Sequence, residues 1–200
     1  GLAPARQLLE AIRLAQQHRG LAAGALAGDP AAQSARMAKR TEVDRAAQSY
    51  AEALAKAGAG RGLAEEWARA HGDLERLLKE LDNRSLSSAA ESFARHTSAI
   101  EAMMDHLGRV SDEFGLSLDP EPDGYFLVIA LLDRMPDLTE LLGQVRAKGS
   151  AALARKEASA REREALAALV ERVRSAGREV GITLEKSFAA DPRIREALGR

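Results

Sequence analysis

The sequence predicts an all-α protein, an elongated antiparallel helical bundle of the four-helix type, with room for extra helices or for two stacked bundles. Three observations predict it. Apolar residues recur in alternating steps of three and four along most of the chain, which is the helical period. Alanine is abundant and only 4% of residues are aromatic, a composition that suits helices packed closely through small side chains and disfavours strands. Connections between the periodic stretches are short, as up-down bundles require, and no repeat marks a solenoid.

The first helix is expected from about Pro4, a residue favoured in a first turn, to about Ala27, before Gly28-Asp29-Pro30 stops it. Leu8, Ile12, Ala15, Ala22 and Leu26 form its apolar stripe, and the position that completes the series is Arg19. An adjacent stripe of Leu14, Leu21 and Ala25 has His18 in its gap. Gly20 beside them lets another backbone approach. Asp29 can cap a second helix with Pro30 in its first turn, running to about Ala57. Its stripe of Val43, Ala46, Tyr50, Leu54 and Ala57 is weak, and its first half reads as peripheral. Gly58, Gly60 and Gly62 break it; with no strand before them and no Walker lysine after, they read as a plain loop. Leu63, Trp67, Ala70, Leu74, Leu77 and Leu81 define a third helix ending near Asn83. Ser85, Ser87 or Ser88 can cap the fourth, which carries Leu86, Ala90, Phe93, Thr97, Ile100, Met104, Leu107, Ser111 and Phe114. His96 falls within the arc of Phe93, Ile100 and Met103, so it should be at least partly buried.

Leu118–Gly143, where a polar loop with two prolines opens into the most apolar run in the sequence, is expected to be the heart of the fold. From Tyr125 to Leu132 every residue is apolar or aromatic, so neighbours should enclose the segment. Such a run fits a strand or a helix; the continuation through Val128, Leu131, Met135, Leu138, Leu142, Val145, Gly149 and Ala152 decides for helix. That series passes through Pro136, which removes the backbone bond to Leu132, so one long central helix, Tyr125–Ala152, should bend there. The charged segment Arg155–Glu164 either joins two helices or forms an exposed part of one. Leu166, Leu169, Val173, Ala176, Val180 and Leu184 resume the bundle pattern, and Asp191-Pro192 can start a short last helix, Arg193–Leu198. The chain then stops without a clear end signal, as a truncated longer helix would.

Twenty-nine basic residues against thirty acidic ones leave a net charge of −1 with no basic block, which argues against a nucleic-acid surface or a polybasic membrane patch. The absence of cysteine excludes disulfides, thiolate catalysis, covalent c-type haem attachment and zinc fingers, and is compatible with the periplasm. A di-iron bundle needs Glu-x-x-His pairs; the near misses Glu91…His96 and Glu101…His106 turn the histidine off the glutamate's face. No H-E-x-x-H, G-x-S-x-G or P-loop occurs. No enzyme, metal or cofactor is therefore expected, and a metal or haem held by His18, His71, His96 or His106 from different helices is a remote reading. No apolar stretch approaches the roughly 20 residues that cross a bilayer, and residues 1–200 read as a single helical domain, an excised soluble part of a longer protein.

Two segments carry a family resemblance. LSLDPEPDGYFLVIALLDRMPDLTELLGQVRAKG, Leu116–Gly149, resembles a pattern of the extracytoplasmic sensor regions of bacterial chemoreceptors, sensor kinases and diguanylate cyclases: a DP–acidic–small–Tyr/Phe loop, a helix, then a proline-leucine motif. QQHRGLAAGALAGD, Gln16–Asp29, is similar to the Gln-x-x-Arg-Gly-Leu-Ser element in the first helix of those regions, including nitrate- and nitrite-sensing domains. Here Ala22 stands where the family often has serine, and His18 where nitrate sensors often have glutamate. The resemblance implies a periplasmic helical-bundle sensor of a homodimeric transmembrane signal transducer, its terminal helices continuing into membrane spans and its signal a small helix shift. A ligand-free coupling or dimerisation bundle is the competing class.

Burying a guanidinium without a partner costs several kcal/mol, so Arg19 needs a carboxylate, helix-end carbonyls or a bound anion. An internal salt bridge and a ligand-binding arginine both satisfy that demand. The expected site is a polar pocket lined by Arg19, His18 and His96 that accepts a small anion such as nitrate, nitrite or a carboxylate, with Tyr125 a weaker candidate for closing it.

Overall fold

The computed structural model describes residues 1–198, and among these every regular element is helical. The chain divides into two compact units, Gly1–Phe114 and a second beginning at Gly115.

The first unit is a bundle of four helices: α1 (Leu2–Leu26), α2 (Pro30–Lys56), α3 (Arg61–Asp82) and α4 (Ala89–Glu113). Both α2 and α4 pack on α1, and α3 packs on α2 and α4. The helix ends follow local chemistry. Gly28, with φ +91°, leaves α1 in the left-handed region that glycine adopts freely. Asp29 then accepts hydrogen bonds from the amides of Ala31 (2.8 Å) and Ala32 (3.3 Å), with Pro30 in the first turn of α2. Of the three candidate serines, Ser88 caps α4 by accepting from Glu91 N (3.2 Å). Leu8, Tyr50, Leu74, Leu77, Leu78, Ile100, Met103 and Leu107, drawn from all four helices, are at most 1% exposed and form the core. Close approach is built in: a Cβ added to Gly24 of α1 would stand 2.9 Å from the Cβ of Ala32 on α2. The first half of α2, expected to be peripheral, is mostly exposed but packs along α1 and buries Arg36 instead of an apolar residue.

The second unit opens with a 3-10 turn, Leu116–Leu118, followed by α5 (Pro122–Ile129), a π-helical turn (Ala130–Arg134), α6 (Met135–Arg155), α7 (Ala160–Ala190) and α8 (Pro192–Leu198). The backbone is helical without a break from Pro122 to Arg155, as expected, and the irregularity falls beside Pro136. Proline lacks the N–H that an α-helix would bond to Leu132, and its ring would meet that carbonyl; the chain responds by widening one turn, so Met135 N–H reaches back five residues to Ala130 O. The loop before α5 explains its small residue: Asp119 accepts from Glu121 N (3.0 Å), and a Cβ at Gly124 would collide with the same Asp119 carboxylate. The Arg155–Glu164 segment joins two helices: Lys156 is left-handed (φ 55°) and Ser159 with Glu162 forms a capping box at the start of α7.

One expectation is corrected. The Tyr125–Leu132 run is not enclosed: Ala130 is its one buried residue, and Tyr125 and Leu131 are 38% and 37% exposed. Within its unit the run is packed by α7, which covers one side of a helix whose every side is apolar. The heart of the molecule's fully buried core is in the first unit, where four helices surround the interior.

Candidate functional site

A polar layer runs through the interior of the first unit. The helical period puts His18 and Arg19 on neighbouring stripes of α1, both inward: His18 is fully buried and Arg19 is 2% exposed. Opposite them, α4 presents Phe93, Ser92, His96 and Thr97, of which Ser92 and His96 are buried. Arg19 Nη1 donates to Thr97 Oγ1 (2.8 Å), and its guanidinium carbon stands 5.0 Å from the Phe93 ring centroid. His18 Nδ1 and His96 Nε2 are 3.0 Å apart, and His96 Nδ1 is 2.7 Å from the carbonyl oxygen of Ser92.

These distances fix the hydrogens. A carbonyl only accepts, so His96 Nδ1 carries a hydrogen; Nε2 of the neutral ring is then an acceptor, and His18 Nδ1 donates to it. What remains is Nε2 of His18, a buried lone pair without a hydrogen-bond partner among the described residues. Burial pushes both histidines below their ordinary pKa, His96 to about 4, and each also lies in the field of arginines, Arg36 and Arg40 for His18 and Arg19, Arg95 and Arg36 for His96. The pair is neutral at pH 7.

Those arginines belong to the same layer. In an antiparallel α1–α2 pair where Gly24 meets Ala32, residues whose numbers sum to about 56 stand level, so Arg36 and Arg40 lie roughly half a turn to either side of His18. Arg36 is buried and donates to Asp82 Oδ1 of α3 (2.7 Å) and to Gln33 (3.3 Å). Arg40 pairs with Asp44 (3.3 Å) and more loosely with Asp82 (3.7 Å), while its Nη1 is buried without a partner among the described residues. A cleft of about 340 Å³ opens where α1 turns into α2, lined by Asp29, Gln33, Arg36, Arg84 and Ser87 among others, so Arg36 reaches both the cleft and the layer.

Three of the expected site residues, Arg19, His18 and His96, are therefore brought together in one unit. Tyr125 belongs to the other unit, in the first turn of α5, with its ring edge-on to Phe126 at 5.2 Å. Sequence reasoning missed Arg36 and Arg40, although the α2 series 36, 40, 43, 47, 50, 54 passes through both in steps of three and four. The other two histidines form a different cluster: His106 Nε2 is 2.7 Å from Tyr50 Oη, its Nδ1 is 3.6 Å from Glu66, and Trp67 stacks on His71. Tyr50 there is fully buried and its hydroxyl pKa is raised by that burial, so the cluster ties α2, α3 and α4 together. Among the described residues no three His, Asp or Glu side chains converge as metal ligands.

Comparison with known proteins bears on this arrangement. No curated protein sequence matches the chain. The fold is that of a solved structure described as the NasR transcription antiterminator, at a TM-score of 0.76 and 21% identity, over 90% of this chain and 49% of that one. The chain thus spans about half the length of the antiterminator. The family model for nitrate and nitrite sensing matches residues 10–197, so the chain belongs to the nitrate and nitrite sensing family.

Proposed function

We propose that the chain is the sensing domain of a signal transducer and that its ligand is a small anion, nitrate or nitrite, held in the polar layer of the first unit by Arg19 with Thr97, His18 and His96 around it. The observation that carries this is a guanidinium 2% exposed, hydrogen-bonded to Thr97 and set beside a buried histidine pair, in a member of the nitrate and nitrite sensing family. Arginine's fixed fork of donors suits a planar anion. Arg36 lies between the cleft and the layer and would guide the anion inward. The family match spans both units, which supports their acting as one sensing domain. Thermal unfolding with added nitrate tests the reading: a ligand at about a hundred times its Kd stabilises the folded form by about 2.7 kcal/mol. Nitrate should raise the midpoint and chloride should not, and Arg19→Ala should abolish the rise while leaving a helical protein. A carboxylate saturating Arg19, with no anion effect on melting, would make Arg19 a structural ion pair instead.

The parent protein in this reading is a homodimeric receptor of the chemoreceptor or sensor-kinase type, with this domain in the periplasm, supported by the Leu116–Gly149 motif. No described helix is long and apolar enough to cross a membrane, so any span would lie outside these helices. A regulator acting on transcription is a second reading, favoured by the likeness to the antiterminator. Paired apolar segments of about 20 residues in flanking sequence would decide for the receptor. Leu142 and Leu153, 48% and 79% exposed on one face of α6, favour self-association, which sedimentation with and without nitrate measures.

A further inference from the structure

The histidine pair is a donor chain that ends in an empty acceptor: Ser92 O takes a hydrogen from His96, His96 takes one from His18, and His18 Nε2 takes none from any described residue. A lone pair in that position is mismatched to an anion, which needs donors. We propose that the first unit takes up its anion together with one proton from solvent, which lands on Nε2 of His18. This rests on the reading of that unit as the anion site and assigns its regulation.

The step balances simply. A solvent proton bonds to the Nε2 lone pair of His18, turning an acceptor that no donor among the described residues reaches into a donor. The His18 Nδ1–H bond can then break as His96 Nε2–H forms, which leaves His18 neutral with its hydrogen on Nε2 and the positive charge on His96. Ser92 O already holds the other hydrogen of that ring, so His96 is the better seat for the charge. Without an anion the proton is disfavoured by burial and by the charges that face the pair: Arg36 and Arg40 from α2, Arg19 on α1, and Arg95 on α4, set against Asp82 of α3 and Asp44 of α2. An anion beside the pair offsets the surplus of positive charge that Arg19, Arg36, Arg40 and Arg95 leave over Asp82 and Asp44, so the proton is opposed less once the anion is bound. Each therefore favours the other, and by linkage acid must strengthen binding as much as binding raises the pair's basicity.

Nitrate is the probe, since it stays an anion across the range used. Titration calorimetry of the whole chain near pH 6 in two buffers of different ionisation enthalpy should give an uptake of up to one proton per nitrate, with nitrate binding several-fold tighter at about pH 6 than at about pH 8 and never by more than about tenfold per pH unit. In ¹⁵N-histidine spectra, nitrate should convert His18 Nε2 from the unprotonated to the protonated shift. His18→Gln removes the atom that receives the proton, so whatever nitrate binding the variant retains should carry less proton uptake than the native chain, with His96 the one imidazole of the pair left to titrate. Binding by the native chain with no uptake and a flat pH profile overturns the inference and leaves the anion site standing; so does nitrate binding that leaves the His18 Nε2 shift unmoved. Failure of nitrate to bind at any pH overturns both. The native-chain calorimetry and spectra decide the matter even if the variant does not fold.

Discussion

Arg19 shows how much a single residue can say through its place in a periodic pattern. An arginine in an apolar stripe is a demand for partners, and part of that demand is met by Thr97 Oγ1 and the face of Phe93. The period located Arg19, His18 and His96 because burial on a helix follows the stripe. It could not supply the hydrogen-bond order Ser92–His96–His18, which depends on how α1 and α4 are rotated against each other. Arg36 and Arg40 were overlooked because the weak half of α2 looked like a solvated face, where arginine needs no explanation. Thr97→Val keeps the shape and removes the hydroxyl that a buried cation uses. A hydrogen bond to a charged group is worth about 1.5–3 kcal/mol, so urea unfolding should show a loss of that order without a change in helix content. An unchanged midpoint would mean that Thr97 does not support Arg19.

At the scale of elements, ends were more legible than neighbours. Asp29 with Pro30, Ser88, and Ser159 with Glu162 are local codes: each satisfies amides within a few residues, so the sequence alone carries them. Enclosure of the Tyr125–Leu132 run was misjudged because it depends on how many partners surround a helix, and an apolar run specifies none. Pro136 announced an irregularity but not its form, since a kink and a widened turn both free the missing donor. Two contacts between elements give measurable expectations. Alanine normally favours a helix over glycine by about 1 kcal/mol, yet at position 24 its Cβ would sit 2.9 Å from that of Ala32, a rigid neighbour. Gly24→Ala should therefore lower stability as α1 and α2 are pushed apart, and a gain in the melting midpoint would show that the pair has slack. Ser187, fully buried on α7, donates to the carbonyl of Asp123 at the start of α5 (2.8 Å). Ser187→Ala should cost about 1 kcal/mol and speed hydrogen exchange in the first turn of α5, while leaving the four-helix unit unchanged.

The whole molecule is chemically asymmetric in a way that makes it testable with simple probes. All four histidines and the single tryptophan, Trp67, lie in the first unit, and none follows Gly115. Burial lowers the pKa of His18, His71, His96 and His106 alike. The sign follows directly: the unfolded chain takes up protons below the ordinary value of 6.5 while the folded unit resists them. Stability is therefore complete above about pH 6.5 and is lost as the pH falls from there toward the folded values, about 4 for His96. His18 and His96 alone would withdraw about 4 kcal/mol by pH 5, a large part of the stability of a domain this size. The second unit has no such groups and should be indifferent over the same range. Trp67 stacks on His71 and His106, so its fluorescence reports on the first unit, whereas circular dichroism reports on helices of both. Lowering the pH from about 7.5 to about 5 should move the fluorescence-detected melting midpoint down by many degrees and split it from a residual helical transition. Nitrate should restore the fluorescence midpoint more at the acid end than at the neutral end, because the proton that the empty unit resists is the one His18 takes up with the anion. If the two probes fall together, the units unfold as one; if neither moves, the histidines titrate as they do in water and the buried pair is not the neutral chain described.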